Sequence, residues 1–198
     1  MSLAIEKTRF TPSDVLDLES EGLYELVDGK LVEKQMSSLA SKTAGNITAE
    51  LYNFLKKSQG GDVFPEQTYQ CFPDDRDLVR RPDVSVIVAS RLPQVPDEDH
   101  IPIAPDLAIE VVSPGDKIYE LDEKLDDYRA AGVKLVWVVN PNSRLVHVYG
   151  VDGFTALLRE TDTLTGEPVL SGFSITVGEL LPARKKRTDT QAGDVTGR

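Results

Sequence analysis

This chain of 198 residues holds one cysteine, two histidines and one tryptophan, and it contains no long apolar run. The lone thiol, Cys71, excludes an internal disulfide and a cysteine-built zinc centre, which favours a reducing compartment. Two histidines, His100 and His147, argue against a histidine-built metal site. No stretch approaches the roughly 20 apolar residues of a membrane span, and the start MSLAIEKTRF lacks the apolar centre of a secretory signal. A soluble, cytoplasmic protein with no membrane partner is therefore expected. Positive charge is also short, with a net charge of -11 and a pI near 4.7. An acidic surface repels phosphates, so work on nucleic acid would require a local basic stripe, for which Arg76, Arg80, Arg81 and Arg91 are the candidates.

What is present suffices for one core: 40% of the residues are hydrophobic. Residues 1–182 read as a single domain. Residues 183–198 open on Ala183-Arg184-Lys185-Lys186-Arg187, continue in Thr, Asp, Gly and Gln, and read as a disordered tail.

Thr11-Pro12-Ser13-Asp14 reads as the capped start of a short helix, and Asp28-Gly29 between alternating runs reads as a β-hairpin turn. Ile47, Leu51, Phe54 and Leu55 recur at helical spacing within 41–57. A strand is expected over 63–72, a core strand over 82–88, and a loop over the Pro-rich 93–105. The apolar run 107–112 is a buried strand, followed by a helix over 117–131 with an Ile118, Leu121, Leu125, Tyr128 stripe and a strand over 133–139. That strand–helix–strand unit implies a parallel pair within an α/β fold, a mixed central sheet flanked by helices. Strand 145–149 follows, and 154–181 reads as short peripheral strands and turns.

Glu110 interrupts the run Leu107-Ala108-Ile109-Glu110-Val111-Val112. A buried carboxylate costs several kcal/mol unless a cation or hydrogen-bond donors compensate it. Asp83, behind Pro82, begins the neighbouring candidate strand, so the two acids could meet at a common edge. Two hard oxygen ligands suit Mg²⁺ or Mn²⁺, which bind through a few carboxylates and keep several waters. The competing reading makes Asp83 a strand-edge residue and Glu110 half of a structural ion pair.

YELVDGKLV (residues 24–32), RPDVSVI (81–87), DLAIEVVSPGD (106–116) and EKLDDYRAAGVKLVWVVNP (123–141) occur in an order that resembles the Uma2 family, the former domain of unknown function 820. The resemblance spans roughly 11–150. It implies the PD-(D/E)XK nuclease superfamily, the restriction-endonuclease-like fold, and Mg²⁺-dependent (or Mn²⁺-dependent) endonucleolytic hydrolysis of DNA. By that resemblance Asp83 and Glu110 are metal ligands. The superfamily's lysine two residues after the acid is here Val112, and Lys124 matches the lysine that the family carries on the following helix. At about 100° per residue Lys124 lies about 70° from the centre of the apolar stripe, where it can bury its stem and send its ammonium to the sheet edge.

Glu25 matches a frequent family glutamate and is a further catalytic candidate, as third carboxylate or water-holder; structural pairing with Lys30 or Lys42 is the alternative. Many relatives carry a histidine before the long helix, which this chain lacks or replaces by Lys42. His147, Trp137 and Tyr128 read as structural. The resemblance also makes a homodimer an expected partner arrangement, two sites facing one duplex. The missing lysine beside Glu110 and the acidic balance keep open a second class, a catalytically inactive nuclease-like scaffold that serves as a binding or regulatory module.

Overall fold

The computed structural model describes residues 8–184. Runs of β-branched residues build a six-stranded sheet of order β3-β4-β5-β6-β7-β8: β3 is Gly61–Pro65, β4 Val84–Val88, β5 Leu107–Val111, β6 Leu135–Asn140, β7 Leu145–Gly150 and β8 Gly153–Arg159. Only β5 and β6 pair in parallel, and helix α3 (Ile118–Ala130) joins them, as the strand–helix–strand pattern requires. The other neighbours are antiparallel.

Alternation along the strands divides the core. Leu107, Ile109 and Val111 join Val84, Val86, Trp137 and Val139 on one face, under Ile47, Leu51 and Leu55 of α2 (Ser38–Ser58). Ala108, Val136 and Val138 lie on the other face with Tyr69, Ile87 and Tyr128 of α3. Glu110, in phase with Ala108, therefore belongs to the α3 side.

Short helix α1 (Pro12–Asp17) starts at Thr11, with Asp14 accepting the Thr11 backbone N–H. Hairpin β1 (Tyr24–Val27) and β2 (Lys30–Glu33) turns through Asp28 and Gly29, both at positive φ, which suits the strong twist of a two-residue hairpin.

Three expectations need correction. The strand expected over 63–72 ends at Pro65, because Glu66 adopts a left-handed φ of 51° and breaks the ladder. Ile118 is 76% exposed: it opens α3 beyond the sheet and belongs to no core stripe. The stretch 154–181 is not peripheral. Its β8 is an edge of the main sheet, and β9 (Thr163–Gly166), β10 (Leu170–Thr176) and α4 (Val177–Leu180) deliver Leu164, Leu170, Phe173, Val177 and Leu180 into the α2-side core. Their apolar residues sit among polar ones because a single face is buried. Of the disordered tail expected over 183–198, residues 185–198 lie outside the described residues, and Arg184 pairs with Glu160. Among the described residues no helix is long and apolar enough to cross a membrane.

Gly61 opens β3 at φ 149°, where a Cβ would stand 2.3 Å from the Ile87 carbonyl oxygen. Gly61→Ala is expected to cost about 1–3 kcal/mol, read as a lowered urea midpoint with an unchanged slope.

Candidate active site

Residues Val84 and Ile109 are register partners on β4 and β5, and one step further along the same ladder sets Asp83 opposite Glu110. Asp83 Oδ2 accepts the Val111 N–H at 2.5 Å, so this carboxylate caps the strand that carries Glu110. Both acids are buried as residues, yet both line one cleft of about 340 Å³ between the β1–β2 hairpin, the strand ends and α3.

Glu110 accepts the Tyr128 hydroxyl on Oε1 at 2.5 Å and faces the Lys124 ammonium from Oε2 at 3.5 Å. Burial raises its pKa, and neighbouring Asp83 and Glu25 add to this, while Lys124 and Lys34 oppose it. Lys124 lies 3.0 Å from Glu25 Oε1, and that same oxygen accepts the Arg81 N–H at 3.0 Å. Arg80 reaches Glu25 Oε2 at 3.1 Å and forks onto Asp127 at 2.7 and 2.6 Å. Burial of Glu25 works against its charge, but Lys124, Arg80, Lys34 and the Arg81 N–H prevail and hold its pKa at about 2. Burial would lower the pKa of Lys124, and Glu110 and Glu25 reverse this, so its ammonium is retained.

A second cation stands beside Asp83. Lys34 follows β2, and its ammonium lies 2.6 Å from Asp83 Oδ1, 2.5 Å from the Arg81 carbonyl oxygen and 3.3 Å from Glu66 Oε2. Burial opposes this charge as well, yet Asp83, Glu110, Glu66 and Glu25 push the Lys34 pKa well above the ordinary lysine value. Glu66 is placed by its own left-handed backbone, its N–H to the Asp83 carbonyl at 3.1 Å, and the Arg81 guanidinium on its carbonyl at 2.6 Å.

The tertiary structure thus brings together all four sequence candidates, Asp83, Glu110, Lys124 and Glu25, and adds Lys34, Glu66 and the Tyr128 hydroxyl. Glu25 pairs with Arg80 and Lys124, not with Lys30 or Lys42; Lys42 is exposed on α2. The arginine stripe does not form. Arg80 is drawn inward by buried Glu25 and Arg91 pairs with buried Asp106, Arg81 is buried through the Tyr24 and Glu66 carbonyls and Glu19, and Arg76 is exposed. His147 packs edge-on against Phe154, and Trp137 is core. Lys34 carried a weak signal in advance: it lies two residues beyond the hairpin motif, next to the strand that the motif predicts. Glu66 carried none, since its position depends on a backbone break.

Among the described residues, no group of three or more His, Cys, Asp and Glu residues could hold a metal ion. The donors nonetheless fit a hard cation that keeps its own waters. Two carboxylates and a carbonyl oxygen already surround the Lys34 ammonium, a positive centre in an all-oxygen setting.

The fold, a mixed sheet with helices on both faces and two acids at adjoining strand ends, is shared with a solved structure. The crystal structure of a "putative nuclease belonging to DUF820" from Anabaena variabilis matches over 86% of this chain and 97% of that chain, at 23% identity and a TM-score of 0.72. The chain belongs to the Uma2 family, described as "putative restriction endonuclease", whose model matches residues 12–178. A cryo-EM structure of the DrdV–DNA complex covers 60% of this chain and 12% of that one at 11% identity, with a TM-score of 0.33 that is too low to indicate a shared fold. No curated protein matches the sequence.

Proposed function

We propose that this protein is a divalent-metal-dependent endonuclease that hydrolyses DNA phosphodiester bonds. The observation that carries the reading is the convergence of Asp83 and Glu110 from adjoining strands onto one cleft, each with an ammonium beside it. Asp83 and Glu110 would hold Mg²⁺ or Mn²⁺. When bound, the ion supplies an acidified water and neutralises charge that builds on a phosphoryl oxygen.

The remaining residues have separable tasks. Lys124 projects from α3 over Glu110 and presents positive charge to a phosphate entering the cleft. Glu25 is a positioning residue: both its oxygens are occupied, by Lys124 and Arg81 N–H on one side and Arg80 on the other, so it fixes the lysine and is not free to bind an ion. Tyr128 orients Glu110 from below. Carboxylates outnumber cations in the cleft lining, so a phosphodiester needs added positive charge to enter, which favours metal dependence over a purely lysine-based site.

Incubation of the purified chain with supercoiled plasmid tests this directly. Nicking or linearisation with Mg²⁺ or Mn²⁺, abolished by chelation with EDTA, is the expected result. Intact plasmid under every divalent ion, with DNA still retained by the protein, would instead support the binding-module reading.

A further inference from the structure

Lys34 sits where a bound cation belongs. Its ammonium touches Asp83 Oδ1, Glu66 Oε2 and the Arg81 carbonyl oxygen, three oxygens from three separate residues, and its side chain is only 12% exposed. Glu110 also acts electrostatically on it. Such a setting is what a hard divalent ion seeks, and two positive charges cannot share it.

We propose that Lys34 is the resident cation of the metal seat, which occupies the Asp83–Glu66–Arg81 carbonyl position in the metal-free protein and must withdraw when a divalent ion enters, with Glu66 then accepting from one of the ion's waters beside Asp83. This rests on the metal-dependent reading above. It adds a competing group and, in Glu66, a further acidic partner that the strand motif does not contain.

The hairpin makes withdrawal feasible. Lys34 lies just past β2, tied back by its N–H to the Leu23 carbonyl oxygen at 2.8 Å, and the two-stranded β1–β2 sheet is separate from the six-stranded one. A lysine stem can therefore swing toward the cleft mouth without unpairing a strand of the main sheet. A purely structural Lys34 would only anchor the hairpin to Asp83. It would affect stability and leave metal affinity unchanged or lowered.

Calorimetric titration of Mn²⁺ into the wild type and Lys34→Met separates these roles. Removal of the competing charge is expected to tighten Mn²⁺ binding on the order of tenfold or more. Glu66→Gln in the Lys34→Met background should reverse much of that gain. Equal or weaker binding by folded Lys34→Met, while the wild type binds, overturns the inference but not the metal-dependent reading. No binding to either protein overturns both.

A second measurement needs no loss of the lysine. In protein labelled with ¹⁵N-lysine, the Lys34 ammonium resonance, assigned by Lys34→Arg, should move or broaden as Mg²⁺ saturates the site. A resonance unmoved while calorimetry records Mg²⁺ bound would also overturn the proposal.

Discussion

Glu110→Ala is expected to lower metal-dependent DNA cleavage by on the order of a thousandfold, equivalent to about 4 kcal/mol of lost transition-state stabilisation. The size follows from position. Glu110 is the one carboxylate that faces Lys124, receives the Tyr128 hydroxyl and stands opposite Asp83 across β4 and β5. Its loss removes a proposed oxygen ligand and leaves Lys124 only Glu25 as a partner. Folding should survive, since removal of a buried carboxylate whose pKa is already raised also removes a desolvation cost. Initial rates on plasmid at saturating Mg²⁺, with circular dichroism to verify the fold, provide the check. Full activity in the folded variant would remove Glu110 from the reaction.

Glu25→Ala should have the larger effect on stability, a loss of about 2–3 kcal/mol in chemical denaturation, because it takes from buried Arg80 and Lys124 the carboxylate they share and leaves them Asp127 and the more distant Glu110, in a site where Glu25 is only 1% exposed. Glu25→Gln keeps the shape and isolates the charge. The Glu25 pKa is held at about 2, below its unfolded value of 4.5, so its contribution is complete above 4.5 and is lost as pH falls toward 2. Glu110 has the opposite sign: its raised pKa favours the folded state at low pH, and that advantage fades as pH rises through its folded value. Removal of the Glu25 charge should therefore flatten the acid limb of stability between about pH 4.5 and 2. An acid limb of unchanged slope in Glu25→Gln would refute the charge argument. Cleavage should also weaken, since Lys124 loses the anchor that aims it.

Much of the site was readable from local pattern. A charge inside an apolar, alternating run marks Glu110 wherever the chain folds, because burial of an ionised group always demands a partner. Asp83 was readable from its place before a core strand, and Lys124 from helical phase together with the family motif. The hairpin turn at Asp28-Gly29 followed from backbone geometry that few residue pairs tolerate. Errors arose where a position depends on distant chain. The strand proposed to reach residue 72 stops at Pro65, and three of the four arginines proposed for a DNA-facing stripe, Arg80, Arg81 and Arg91, turn to Glu25, Asp127, Glu19 and Asp106. Charge alone identifies which residues seek partners, not which partners lie near.

The order and type of the central elements and the parallel β5–β6 pair were determined by the sequence alone, and the candidate acids Glu110 within β5 and Asp83 just before β4 were legible there, because period-two and period-3.6 patterns and turn chemistry act over a few residues. The cation beside Asp83 and the arginine that holds Glu25 were decided only in three dimensions. Lys34 and Asp83 are 49 positions apart, and Glu25 and Arg80 are 55. Their meeting depends on how the hairpin docks against the sheet, a packing outcome that no local periodicity encodes.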